Sequence, residues 1–193
     1  QYMKLNKLTP KERDVIINKR KEMIVIGGGC FWCIEAVFQR VDGVISAIPG
    51  YAGGTSKNPS YMQVCTGNTG HAEVIKVIFD PEKVSLRKIL KIFFLSHDPT
   101  TLNRQGNDMG TQYRSIVLYS NESQKKVIES VIGDIQRGSE KKIVTEIEAL
   151  DIFYEAEEYH KNFFNSNPNS SYCKLIIKPK LDKVLQEKNR IKN

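Results

Sequence analysis

Met23-Ile24-Val25-Ile26-Gly27-Gly28-Gly29-Cys30-Phe31-Trp32-Cys33-Ile34-Glu35 changes character twice along its length. Met23 to Ile26 is a short apolar run that three glycines end, and from there Phe31, Ile34, Val37, Phe38 and Val41 recur at helical spacing. The stretch predicts strand, tight turn, helix. Glycines permit a sharp turn and close approach of another group. Cys30 then falls in the first turn of the predicted helix, where unpaired N–H groups and the positive end of the dipole favour an anion. That placement predicts a thiol lowered from about 8.5 toward neutrality, and so a usable thiolate nucleophile. The turn would suit a phosphate as well, but no Walker lysine or dinucleotide fingerprint follows it. An inert cysteine buried among core aromatics is the plain alternative.

Outward from this segment, the elements alternate in type. Val44 to Ile48 reads as a strand followed by a Gly/Pro-rich loop, Pro49 to Ser60. Glu73 to Phe79 reads as a largely buried strand stopped by Asp80-Pro81, and Leu86, Ile89, Leu90 and Phe93 mark a helix capped by Ser85. A long polar loop, His97 to Gln112, has the length of a functional loop and precedes a strand, Ser115 to Tyr119. Ile128, Val131, Ile132 and Ile135 give a helix ending near Gly138, Ile143 to Ile147 a strand, and Glu157 to Phe164 a short helix before the loop Asn165 to Ser171. On the N-terminal side, Thr9-Pro10 with Glu12 has the form of a capping box, predicting a helix from Pro10 to Lys19. Residues 1–21 then read as a helical appendage. The uneven interleaving predicts an α+β two-layer sandwich with a central mixed sheet of the ferredoxin-like type and long loops around the site, rather than a doubly wound parallel sheet.

At 193 residues with 40% hydrophobic side chains, the remainder suits one domain with a substantial core. No run is apolar enough to span a bilayer and the opening is too polar for a secretory segment, so the expectation is a cytoplasmic protein without a membrane partner. The formal charge of +7 sits at the ends: seven basic against three acidic residues over 1–22, and seven against two over 174–193. The body is slightly acidic, so these ends read as solvated faces and not as a nucleic-acid footprint. Cysteines 30, 33, 65 and 173 are too few and uneven for a disulfide scaffold. Zinc would need a second pair beside the C-x-x-C, and His71, His97 and His160 have no ligand spacing with it. A C-x-x-C opening a helix also fits a thioredoxin-like disulfide oxidoreductase.

Several blocks decide among these readings. Gly29-Cys30-Phe31-Trp32-Cys33 resembles the signature of the A-type methionine sulfoxide reductases (MsrA), whose nucleophile is the cysteine before Phe-Trp. Gly50 to Gly54, Tyr61 to Cys65, Thr69-Gly70-His71-Ala72-Glu73, His97 to Thr100, Asn103 to Asp108, Gly110 to Ser115, Phe153 to His160 and Tyr172-Cys173 follow in the same order. The similarity covers about residues 23 to 180.

The resemblance implies that residues 22–193 form the catalytic domain with a basic C-terminal tail, and that the chain reduces the S epimer of free or protein-bound methionine sulfoxide. It assigns the proton donor and hydroxyls that a sulfoxide oxygen needs to Glu73, Tyr61 and Tyr113. It makes Phe31 and Trp32 the apolar wall for the sulfur methyl, and Asp108 a polar support acting through water. Cys30 is left as a sulfenic acid, which a second thiol condenses to a disulfide. Cys33 and Cys173 are both candidates. The expectation is Cys173, in the Tyr-Cys position that resembles the family's resolving cysteine and on a loop able to swing, with Cys33 able to take over or relay the bond. Cys65 reads as structural. Thioredoxin is the implied reductant, no metal or organic cofactor is called for, and the chain is expected to act as a monomer.

Overall fold

The structure, a computed structural model, describes residues 9–12, 14–15 and 21–193. In chain order its elements are β1 (Glu22–Gly27), α1 (Phe31–Phe38), β2 (Val44–Ala52), α2 (Tyr61–Cys65), β3 (Ala72–Phe79), α3 (Leu86–Leu95), a small hairpin of β4 (Arg104–Gln105) and β5 (Asp108–Met109), β6 (Ile116–Tyr119), α4 (Glu122–Arg137), β7 (Glu146–Ala149), β8 (Tyr154–Glu155), α5 (Phe163–Ser166) and α6 (Lys178–Lys188). The main sheet has the order β7-β6-β1-β3-β2-β8. Its β6-β7 pair is parallel and every other pair antiparallel, so the sheet is mixed. The inner order β6-β1-β3-β2 is that of the split βαβ unit, with α1 and α3 as crossovers.

Strand side chains alternate between two clusters. Ile24 and Ile26 of β1 with Ile75, Val77 and Phe79 of β3 face the helices and join Phe31, Ile34, Phe38, Ile89, Leu90 and Phe93 in the large core. Val25, Val74, Ile116 and Leu118 point the other way and are covered by Leu150 and Phe153. The helices therefore occupy one face of the sheet, making the expected two-layer α+β sandwich. No helix among the described residues is long and apolar enough to cross a membrane.

Local departures from the sequence reading each have a cause. β2 runs on to Ala52, because β3 pairs with it as far as Ala52↔Ala72 and β8 adds on its outer edge. β7 lies at Glu146–Ala149 rather than Ile143 to Ile147: the Val144 N–H donates to the Pro99 carbonyl at 2.8 Å, tying that end to the long loop instead. Glu157 to Phe164 is not one helix. A 3₁₀ turn, Glu158–His160, is separated from α5 by Asn162 at φ +55°. The Thr9–Glu12 capping box is present, with the Thr9 N–H donating to the Glu12 carboxylate at 2.9 Å and the Glu12 N–H to the Thr9 hydroxyl at 3.3 Å. Of the predicted helix from Pro10 to Lys19, residues 10–12 and 14–15 are helical, and 13 and 16–19 lie outside the described residues.

The largest correction concerns the C-terminal end. Cys173–Ile177 is a π-helical turn that runs into α6, and Ile177, Leu181 and Val184 are buried in the large core with Leu185 packed against it. Their spacing is helical, and Pro179 stands at the second position of α6, directly after the π-helical turn. Lys178 and Lys183 lie on the outer face of a docked helix, whereas Lys180 and Lys188 are half-buried. Leu181→Ala should therefore lower stability by about 2–5 kcal/mol in denaturant unfolding, the cost of a large-to-small change in a core. A change below about 0.5 kcal/mol, typical of solvated positions, would contradict the docking.

Candidate active site

The glycine turn between β1 and α1 is shaped by what presses on it. A Cβ on Gly28 would stand 2.6 Å from the His97 ring, and Gly29 has φ +81°. His97 is buried, and burial takes its pKa down to about 4, so the ring is neutral. Its Nδ1–H donates to the Phe93 carbonyl at 2.8 Å, which leaves Nε2 to accept from the Ser115 hydroxyl at 2.7 Å. The Gly29 N–H donates to the Tyr113 carbonyl at 3.1 Å, drawing Tyr113 to the turn.

Cys30 is the N-cap of α1, with extended backbone (φ −63°, ψ 127°) and a half-buried side chain. One of the free N–H groups of the first turn, that of Phe31, donates to Glu73 Oε2 at 3.1 Å. Glu73 is the second residue of β3, pairs with Tyr51 and is 2% exposed. Burial pushes its carboxyl up to about 8, against the Phe31 N–H; Asp108 and Cys33 add to the rise. The group is a protonated acid near neutral pH.

Burial also raises the Cys30 thiol well above its ordinary value, with smaller contributions from Cys33 and Glu73. The expected lowering at a helix N-terminus does not occur, because desolvation outweighs the one N–H, from Trp32, that supports a thiolate. Cys33 moves the other way, since Cys30 donates its S–H to Cys33 and Lys180 faces it. The two sulfurs are hydrogen-bonded neighbours. Tyr172 hydrogen-bonds both thiols, and its hydroxyl donates to Asp108 Oδ2 at 3.3 Å. A cavity of about 320 Å³ opens here between Cys30, Cys33, Gln105, Asp108, Tyr172 and Lys180.

Burial raises the hydroxyls of Tyr61 and Tyr113, and both lie close enough to Glu73 to feel its charge. Tyr61 is held at its backbone, where its N–H donates to Glu157 Oε2 at 3.0 Å, and Glu157 Oε1 accepts from the Tyr51 hydroxyl at 2.9 Å. Cys65, read as structural, is exposed and hydrogen-bonds the Tyr61 hydroxyl. Trp32 stacks on Phe163 with centroids 3.6 Å apart, and its Nε1–H donates to His160 Nδ1 at 3.1 Å. Phe31 is buried between Tyr51 and His160, its ring centroids 5.8 Å and 5.0 Å from theirs.

Cys30, Cys33, Glu73, Tyr61, Tyr113 and Asp108 thus converge. Cys173 does not line the cavity. It opens the π-helical turn, is fully buried in the core and has its N–H tied to the Ser170 hydroxyl at 3.1 Å, so the swinging loop expected around it is not there. His160, Glu157 and Lys180 were missed as site residues. Glu157 and His160 lay in the block Phe153 to His160 without a role assigned to them, and Lys180 had a local signal, one turn below Val184 on the helical stripe of α6. Among the described residues, no group of three or more His, Cys, Asp or Glu is placed to hold a metal ion. The arrangement can do two things: offer a proton from a buried acid beside a thiol, and join that thiol to its neighbour.

Comparison with known proteins gives one answer. The family model described as peptide methionine sulfoxide reductase matches residues 22–193. The peptide methionine sulfoxide reductase MsrA of Saccharolobus solfataricus is 54% identical over 165 residues, covering 86% of this chain and 93% of its own. Reduced Mxr1 from Saccharomyces cerevisiae superposes with a TM-score of 0.77 at 36% identity over 80% of this chain and 90% of its own. The same yeast protein in complex with Trx2 superposes with a TM-score of 0.56 at 26% identity, covering 81% and 90%.

A carboxyl raised from 4.5 to about 8 binds its proton more tightly in the folded state. Its stabilising contribution is complete below the ordinary value and is lost as pH rises through about 8. Denaturant unfolding at pH 5 and pH 9 should show wild type losing stability with a slope that Glu73→Gln flattens. Equal slopes in the two proteins would mean that Glu73 is ionised in the folded state.

Proposed function

The chain belongs to the peptide methionine sulfoxide reductase family and reduces methionine sulfoxide; from that premise we propose that it acts on the S epimer, free or in oxidised proteins, by the following route. Cys30 sulfur attacks the sulfoxide sulfur while Glu73 gives its proton to the oxygen, with the Tyr61 and Tyr113 hydroxyls donating to the same oxygen. The Cys30 S–H proton returns to Glu73, the oxygen passes from the methionine sulfur to the Cys30 sulfur as the sulfur–sulfur bond of the adduct breaks, and methionine leaves reduced with Cys30 as a sulfenic acid, the thiol having lost two electrons. The observation that carries this reading is the buried Glu73 carboxyl, protonated near neutral pH and pinned to the start of the helix that bears Cys30. Trp32 and Phe31 supply the apolar side, and Asp108 the polar side through water.

The second step needs a thiolate within bonding reach. Cys33 is in contact with Cys30 and is the thiol held below its ordinary value. A C-x-x-C disulfide needs Cβ atoms within about 4.5 Å, which is attainable when the first cysteine stands outside the helix. Cys30 has that extended N-cap backbone. Cys33 therefore attacks Cys30, water leaves and the Cys30–Cys33 disulfide forms. Cys173 takes part only if the C-terminal helix undocks and the bond is relayed onward. An external dithiol then restores both thiols, and the yeast relative's complex with Trx2 supports thioredoxin in that role. Such a cycle suits a reducing compartment, the cytoplasm.

With dithiothreitol as reductant, the S epimer of a methionine sulfoxide substrate should be consumed and the R epimer spared; equal turnover of both contradicts the A-type assignment. Cys30→Ser should abolish reduction. Glu73→Gln should slow single-turnover reduction about 10²-fold or more, the scale of a positioned acid, and Tyr61→Phe or Tyr113→Phe less. Peptide mapping after one turnover without reductant should find Cys30 joined to Cys33, with Cys33→Ser accumulating sulfenic acid. A Cys30–Cys173 link as the first product would transfer the resolving role to Cys173.

A further inference from the structure

His160 is 1% exposed, lies off the reacting atoms and has no role in the chemistry above. Its Nδ1 accepts the indole N–H of Trp32 at 3.1 Å, and a neutral imidazole accepting there carries its proton on Nε2. That Nε2 is buried without a hydrogen-bond partner. Around the ring stand aromatic neighbours: Tyr159, Tyr61 and Phe31, with centroids at 4.1, 4.4 and 5.0 Å. A buried N–H with no acceptor works against folding. A phenylalanine would fill the same space without that cost, so what the histidine alone supplies is an acceptor for Trp32.

Trp32 needs one. Its stacking on Phe163 is nearly parallel, at 6°, and sets the plane of the indole but not its rotation within that plane. Tyr172 touches it only edge-on, at 5.7 Å and 79°. The directional bond to Nδ1 supplies the missing restraint. The turn that carries His160 also positions Tyr61, since the His160 N–H donates to the Glu157 carbonyl at 3.0 Å while the Glu157 side chain takes the Tyr61 N–H at 3.0 Å.

We propose that His160 is a positioning residue of the substrate pocket, which fixes the rotation of Trp32 and backs the Tyr61 ring, so that apolar wall and oxygen-binding hydroxyl keep one spacing. The proposal rests on the sulfoxide-reductase reading.

Trp32 is the single tryptophan of the chain, so its indole gives one signal. In ¹⁵N-labelled wild type, the indole proton should exchange slowly with water and show a ¹⁵N–¹⁵N coupling to the His160 ring. Rapid exchange without coupling overturns the proposal and requires no variant. His160→Phe keeps a ring against Tyr61 but removes the acceptor, whereas His160→Asn keeps an acceptor at the Nδ1 position. His160→Phe should shift the Trp32 fluorescence and raise KM for the S sulfoxide about 3- to 10-fold, the scale of one neutral hydrogen bond, with a smaller change in kcat. His160→Asn should return emission and KM toward wild type. An unchanged KM in His160→Phe, or the same defect in both variants, overturns the proposal. Failure of wild type to reduce the sulfoxide would instead sink the underlying reading, and the indole measurement separates the two.

Discussion

The bond from the Phe31 N–H to the Glu73 carboxyl, at 3.1 Å, joins the start of α1 to the start of β3, and the site depends on it. A helix start offers a few unpaired N–H groups, and each can support one anion or acceptor. Here one of them serves Glu73. The nearby thiol loses that support and is held protonated by burial, while the carboxyl, equally buried, keeps its proton up to about 8. Both groups therefore hold their protons near neutral pH. The lowered pKa thus appears on Cys33, the thiol that accepts a hydrogen bond, and not on Cys30.

Around this pair the chain closes from its C-terminal third. Glu157 orients Tyr61 and Tyr51, His160 holds Trp32, Tyr172 bridges Asp108 and the two thiols, and Lys180 looks into the cavity from α6. The Glu35 carboxylate, buried in α1, accepts the Asn162 and Phe163 N–H groups at 2.9 and 3.3 Å, fastening this segment to the helix that carries the thiols. Cys30 and Glu73 come from the N-terminal half, and the groups that close around them from the C-terminal third.

The division has an energetic logic. The turn under Cys30 admits only glycine beside the His97 ring, and His97 is held neutral by burial and by its bonds to Phe93 and Ser115. The docked helix α6, through Ile177, Leu181 and Val184, fixes the cavity wall and buries Cys173. Stability at that end and access of Cys173 to the site are therefore opposed.

Period-two alternation in β1 and β3, the glycine run and the helical spacing from Phe31 onward are local patterns, and they determined the α+β sandwich and the position of Cys30 at a helix start. The ordered blocks pointed to Glu73, Tyr61, Tyr113 and Asp108. Local pattern could not decide the direction of the Cys30 shift, because desolvation is the summed effect of residues distant in sequence. Nor could it decide that the basic end docks, since charges dominate its composition while the four apolar positions that bury it are sparse. The partnership of Trp32 with His160, 128 positions apart, exists only once the 154–166 segment folds back across α1. Chemical identity was written in short motifs; the protonation states and the orientation of the aromatic side chains belong to the tertiary structure, because burial and hydrogen-bond geometry are properties of the packed chain.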